Sequence, residues 1–383
     1  MFSTSTRVAV AALVLSALSA SAEPSLSLEL AAPTDVDGVH NLKVSATLHN
    51  TGDEDLKLLK DPNGLLSKSA TDKFKISNVA GSGPSFTGIK VKYSPSHAAK
   101  HGDSTKAFTV LKAGDSVEVE HSLAASYDFN QCGEGSYDID GSKEFHYVDD
   151  STGEVKKIVA KVESGVKAKI SGKLAVARSL PVRRAPVNGT ASHADAPANI
   201  TGLHAGFDNC TPDEQALIHT ATLFAQRYSF HSYEYLVQNN HSGAARYETW
   251  FGKYDVNRHQ NVTKHFARVL ENPFNNYTYD CMPTECGEGG STFAYVYPTE
   301  FGKIYLCDAF WKANTTGADS KAGTLIHEST HFTIIAGTND EIYGRNDSEA
   351  LAQTEPARSH LNVDSHEYFA EDSDPTTLGQ TKA

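Results

Sequence analysis

The segment Gly323 to Gly344, GTLIHESTHFTIIAGTNDEIYG, constrains this chain more than any other. It holds His327-Glu328-Ser329-Thr330-His331, an H-E-x-x-H pentapeptide. Residues four apart on a helix share one face a turn apart, so both imidazoles can reach one metal ion. Glu328 stands between them, where a carboxylate can take a proton from water polarised by that metal. The same five residues also occur by chance on ordinary amphipathic helices, so the flanks matter. Leu325 and Ile326 precede the motif, and Phe332, Ile334 and Ile335 follow it, as a buried helix requires. Gly337 supplies a C-terminal stop, and the pattern predicts a helix over 321–336.

A catalytic zinc site has three protein ligands and keeps a further position for water or substrate. A metzincin would carry Gly at 334 and His at 337. Ile334 and Gly337 stand there instead, which excludes that class. A thermolysin-like enzyme would take its third ligand from a later helix, where Glu349 is available. Asp340, nine residues after His331, could be brought back under the metal by a tight turn. Spacing alone leaves Asp340 and Glu349 both open.

A longer pattern bears on that choice. His327 to His331, followed by Gly337-Thr338-Asn339-Asp340-Glu341-Ile342-Tyr343-Gly344, resembles the HExxH plus GTxDxxYG signature of the deuterolysin, or aspzincin, zinc endopeptidases. The resemblance implies one Zn2+ per catalytic domain, bound by His327, His331 and Asp340. It also implies Glu328 as general base and Tyr343 as an aid to the transition state. RYETWFG (246–252), TFAYVYPTEFGKIYLCDAFWKA (292–313) and HEYFAED (366–372) resemble the peptidyl-Lys branch of that family. In that branch an Asp and a Glu three apart, before Tyr-Phe, recognise lysine on the carbonyl-terminal side of the cut. The matching residues are Asp364 and Glu367, with Val363 where the family more often has Ala. Asp364 is shared with broader-specificity relatives, so Glu367 is the discriminating residue. The plainer reading of this pair is a solvated helix face. The resemblance spans about 209–372 and says little of what precedes it.

Charge divides the chain in two. Residues 1–184 carry 22 Lys+Arg and 22 Asp+Glu, whereas 185–383 carry 12 and 25, so the whole net charge of −13 belongs to the second half. Residues 1–22 read as a secretory signal: Arg7, an apolar run from Val8 to Leu18, then Ala20-Ser21-Ala22 as a cleavage site. That run is too short to span a bilayer. From 23 to 170, six or seven segments alternate apolar and polar residues, which predicts an antiparallel, roughly immunoglobulin-like sandwich. RSLPVRRAPVNGTASHADAPANITG (178–202) reads as a linker, with the dibasic pair Arg183-Arg184 exposed to a processing protease. The expected organisation is therefore signal peptide 1–22, β-rich propeptide 23–184, linker 185–205 and catalytic domain 206–383.

The catalytic half reads as mainly helical, zincin-type, with a small sheet. Thr211-Pro212-Asp213-Glu214 opens a helix toward Leu236, and a second is expected over 254–270. FAYVY and KIYLC predict a hairpin that can offer its edge to an extended substrate. Further helices are expected from Ser348 and over Asp364 to Phe369. This half has four cysteines, for which the resemblance favours the pairs Cys210–Cys281 and Cys286–Cys307. Cys132 is left over in the first half, either buried and free or a thiolate ligand that keeps the zinc latent. Glycosylation sequons at Asn188, Asn199, Asn240, Asn261, Asn276, Asn314 and Asn346 all follow the dibasic pair.

These readings describe a secreted zinc endopeptidase made as a proenzyme and cutting before lysine. Its expected partners are protein or peptide substrates and its own propeptide, with no nucleic acid, no membrane and no second subunit; the acidic second half argues against nucleic acid. Three alternatives stand beside it: a broad-specificity deuterolysin-like endopeptidase, an inert secreted binding protein, and an unrelated zinc hydrolase using Glu349.

Overall fold

The computed structural model describes residues 24–176 and 205–373. The expected signal sequence and most of the linker, including Arg183 and Arg184, lie outside the described residues.

In the first half, alternation builds strands with one buried side. Along Leu26–Ala31 the residues Leu26, Leu28 and Leu30 point inward, and along Lys43–Asn50 so do Val44, Ala46 and Leu48. These two strands are the centre of a four-stranded sheet flanked by Lys161–Ser164 and Ser116–Ser122. A second sheet runs in the order Asp35–Asp37, Val166–Ser171, Gly135–Gly141, Phe74–Asn78. Leu28, Val44 and Leu48 of the first sheet share one apolar core with Ile76, Ile139 and Ile170 of the second. A third sheet runs Val155–Val159, Glu144–Val148, Leu56–Leu59, Phe108–Leu111.

The half is thus all-β apart from short helical turns, and it has more strands than the six or seven expected. The additional ones include Leu56–Leu59 and Glu144–Val148, where Leu58, Leu59, Phe145 and His146 leave too little exposed alternation to read. Cys132 is free and half-buried rather than buried; its thiol faces the Gly83 carbonyl, and it is not among the side chains that converge as candidate metal ligands in the described residues.

The second half is helical around a core that includes Ile218, Trp250, Phe251, Phe266, Leu325 and Phe369. The helix Pro212–Gln238 starts at a capping box in which Thr211 and Glu214 satisfy each other's backbone donors. Val256–Glu271 follows, after a helix at Ala245–Phe251 that the sequence reading missed. Cys210 is joined to Cys281 and Cys286 to Cys307. The sequon asparagines Asn240, Asn261, Asn276, Asn314 and Asn346 are exposed.

A five-stranded sheet runs along this half in the order Gly206–Asp208, Thr278–Asp280, Lys303–Leu306, Thr292–Val296, Lys90–Tyr93. The expected hairpin is the antiparallel pair Thr292–Val296 and Lys303–Leu306. The edge strand comes from the first half of the sequence. Here the two halves are not separate bodies joined by a tether, as the charge division alone would suggest. The first half completes the second half's sheet.

The site helix is shorter than expected. It spans Lys321–His331 rather than 321–336. Phe332 already has extended ψ, and the N–H groups of Ile335, Ala336 and Gly337 all turn back to the Phe332 carbonyl. Gly337, at φ +61°, closes that tight turn instead of ending the helix. Ile334 consequently points outward and is 52% exposed, whereas Phe332 and Ile335 are buried as expected. At the other end Ser320 caps the helix through Gly323 N–H. Gly323 itself is required for packing: a Cβ there would lie 2.0 Å from Glu371 Oε1. The last helix, Val363–Glu371, crosses at that point, and every one of its residues is buried.

Candidate metal centre and lysine pocket

The turn at Phe332–Gly337 returns the chain so that Asp340 faces both imidazoles. Asp340 Oδ1 lies 3.4 Å from His327 Nε2 and 3.4 Å from His331 Nε2. None of these three atoms has a hydrogen-bond partner, although the two histidines are fully buried. Three unsatisfied donor atoms within 4.8 Å of one another, two nitrogens and one carboxylate oxygen, fit a tetrahedral Zn2+ with room for a fourth ligand. The far sides of both rings are held as metal-ligating histidines usually are. His331 Nδ1 lies 2.9 Å from the Thr338 carbonyl, and His327 Nδ1 lies 2.9 Å from Glu367 Oε2 and 3.0 Å from Asp364 Oδ1. Burial would lower the His327 pKa, but the carboxylates of Asp340, Asp364 and Glu367 raise it well above the usual imidazole range. That field favours a cation at this spot.

Glu349, the rival third ligand, is on the surface at 41% side-chain exposure, 3.5 Å from Arg345 one helical turn before it. It takes no part in the site. Glu328 is fully buried; its Oε2 is unpartnered and its Oε1 accepts the backbone N–H of Lys92 at 3.0 Å. Burial pushes the Glu328 carboxyl up to about 8, reinforced by Asp340 and opposed by His327. The Tyr343 hydroxyl is bonded to Asn63 of the first half, and its ring meets Tyr93 edge-on at 5.7 Å.

Asp364 and Glu367 are not a solvated face. Both are fully buried on the last helix, beside His327. Between them sits the ammonium of Lys92, itself fully buried, 2.8 Å from Glu367 Oε2 and 3.6 Å from Asp364 Oδ1. Asp319 Oδ1 completes the cluster at 2.9 Å. Desolvation alone would drive the Lys92 pKa down, yet the Asp319, Asp364 and Glu367 charges hold it well above the usual lysine value. Asp364 has a second task, since its Oδ2 accepts the Gly344 N–H at 2.7 Å and so anchors the loop that carries Asp340 and Tyr343.

The sequence reading missed Lys92, Asp319 and these double roles. No motif marks Asp319. Lys92 lies in GIKVKYS, where alternating Ile89, Val91 and Tyr93 was the available strand signal.

Comparison with known proteins adds to this geometry. A sequence model of the lysine-specific metallo-endopeptidase, or aspzincin, family matches residues 236–371. A peptidyl-Lys metalloendopeptidase from Grifola frondosa is 45% identical, with the match covering 94% of this chain and 97% of its own. A second, from Armillaria mellea, is also 45% identical, over 97% of this chain and 99% of its own. An extracellular protease from Aeromonas hydrophila is 31% identical, over 87% of this chain and 88% of its own. A solved zinc peptidase from Grifola frondosa matches 43% of this chain and 97% of its own at 45% identity, with a TM-score of 0.40. The chain is a zinc metalloendopeptidase. It belongs to the lysine-specific metallo-endopeptidase family.

Proposed function

We propose that this chain is the secreted proenzyme of a monomeric endopeptidase that cuts proteins on the N-terminal side of lysine. The observation that carries the reading is the sealed anionic pocket, in which Asp364 and Glu367 hold a lysine ammonium directly behind His327. A compact ammonium suits such a pocket, whereas the wider planar guanidinium of arginine need not enter.

His327, His331 and Asp340 would hold the zinc, which when bound lowers the pKa of water and polarises the peptide carbonyl. Glu328 takes the proton from water and later gives it to the leaving amine. The Tyr343 hydroxyl donates to the oxygen on which negative charge develops. In the intact chain the oxygen of that hydroxyl accepts from the Asn63 side-chain amide. Residues of the first half therefore touch the catalytic groups directly, which supports a proenzyme over a two-domain mature enzyme. Among the described residues no helix is long and apolar enough to cross a membrane.

Two measurements on the active secreted form test this. Mass spectrometry of peptides released from an unbiased protein mixture should show new N-termini at lysine and few at arginine. N-terminal sequencing of the enzyme should begin after Arg184; Glu23 as the first residue would reject the proenzyme part of the reading.

Glu367→Gln tests the pocket more closely. An amide oxygen can still accept from His327 Nδ1–H, but the charge facing the ammonium is gone. The preference for lysine, read in kcat/KM against a neutral residue, should fall about 30- to 150-fold. Because Glu367 also orients His327, zinc affinity should weaken as well, by about 10-fold. A variant with undiminished lysine preference would leave the pocket without its assigned role.

A further inference from the structure

The strand Lys90–Tyr93 lies along the catalytic sheet as an extended peptide would. It runs antiparallel to Thr292–Val296, with Lys92 opposite Ala294, Val91 opposite Tyr295 and Lys90 opposite Val296. Its backbone meets the catalytic groups: Lys92 N–H donates to Glu328 Oε1 at 3.0 Å, and Val91 N–H to Asp340 Oδ2 at 3.4 Å. Its side chain fills the anionic pocket, where Asp319, Glu367 and Asp364 surround the ammonium and the Tyr368 ring centroid lies 5.1 Å from it.

Asp319 is not placed there by default. Its φ of +51° puts it in the left-handed region, which a residue other than glycine occupies at a cost. Its Oδ1 accepts from Lys92 and also from the Tyr368 hydroxyl, each at 2.9 Å. A strained backbone thus aims a third carboxylate at the ammonium.

We propose that Lys90–Tyr93 occupies the cleft as the first half's own substitute for a lysyl substrate, with Lys92 in the specificity pocket and Asp319 as a third lysine-recognising carboxylate. The inference rests on the lysine specificity argued above. The Val91–Lys92 peptide stands in the place of the bond to be cut, because its nitrogen faces the carboxylate that returns the proton. Occupancy by this strand and by substrate exclude each other, so the intact chain is held inactive.

The test uses zinc-loaded intact chain carrying Arg183→Gln and Arg184→Gln, which keeps the halves joined, assayed on a peptide with one internal lysine. Adding Lys92→Met, which preserves length but removes the charge, should raise hydrolysis about 10-fold or more. A synthetic peptide with the sequence of residues 88–95 should inhibit the processed enzyme competitively at early times. Its Lys92→Met version should inhibit about 10- to 100-fold less well, a readout independent of whether the variant chain folds. Asp319→Asn tolerates the left-handed backbone equally well, and in the processed enzyme it should lower the lysine preference about 10-fold or more. Equal inhibition by the two peptides, with no release by Lys92→Met, overturns the occupancy. Unchanged lysine preference in Asp319→Asn overturns the third carboxylate. If the processed wild-type enzyme shows no lysine preference at all, the specificity reading is what has failed.

Discussion

Asp340→Ala should yield a folded protein that loses its zinc on dialysis and with it all measurable peptidase activity. The carboxylate supplies one of three unsatisfied atoms that converge in a buried site, and alanine leaves only two imidazole nitrogens. Loss of an outer partner to a metal ligand costs about 10- to 100-fold in affinity, so loss of a direct ligand should exceed that. The proper control is Glu349→Ala. Its side chain is half exposed and, among the described residues, pairs with Arg345, so zinc content and kcat/KM should stay within about 2-fold of the parent. Metal analysis of the two variants side by side separates the aspzincin arrangement from the thermolysin-like one, and the reverse pattern would reassign the site.

The second large effect is expected at Glu328. Glu328→Gln should keep a full complement of zinc, because the carboxylate is not among the three converging ligands. Turnover should nevertheless fall about 10²- to 10⁴-fold, since an amide cannot accept the proton. The glutamine oxygen can still receive the Lys92 N–H that Glu328 Oε1 receives, so the strand in the cleft should remain seated. Zinc content and turnover measured on the same sample of processed enzyme decide the matter; loss of both together would point to a ligand or folding role instead.

What could be read in advance followed from local spacing. His327 and His331 share a helix face because of the helical period, and Asp364 and Glu367 do so for the same reason. Periodicity does not say where a helix must stop for its neighbour to return. The expected stop at Gly337 was therefore five residues past the observed cap at Phe332, and the position of Asp340 depended on the difference. Nor can a spacing rule choose between Asp340 and Glu349, since both are within reach of a loop. The family resemblance favoured Asp340, whose carboxylate lies 3.4 Å from each imidazole.

Other parts were illegible for a physical reason: they depend on contacts across distant stretches of chain. The Lys92 to Glu328 bond spans 236 residues, and nothing near either partner announces the other. Asp364 and Glu367 read as a solvated helix face because the cation they hold, Lys92, comes from the other half. The split in composition at 184 is silent on this pairing, because net charge does not say where a strand finds its hydrogen bonds. Leu59 and Phe108 of the third first-half sheet share an apolar cluster with Tyr343, a contact that neither half's pattern would suggest.

The edge position of Lys90–Tyr93 has a consequence for which proteins can be digested. If that strand leaves on processing, as proposed above, Thr292–Val296 becomes the rim of the sheet, with a row of backbone donors and acceptors facing the cleft. Only a segment that can lie fully stretched for several residues satisfies them. A lysine on a helix offers its ammonium but has its backbone already committed, and must first melt out of its fold. The order of attack on a folded protein is then set less by where its lysines lie on the surface than by how readily the chain around each one opens. Two substrates with the same number of lysines can differ widely in lifetime, with the looser fold consumed first.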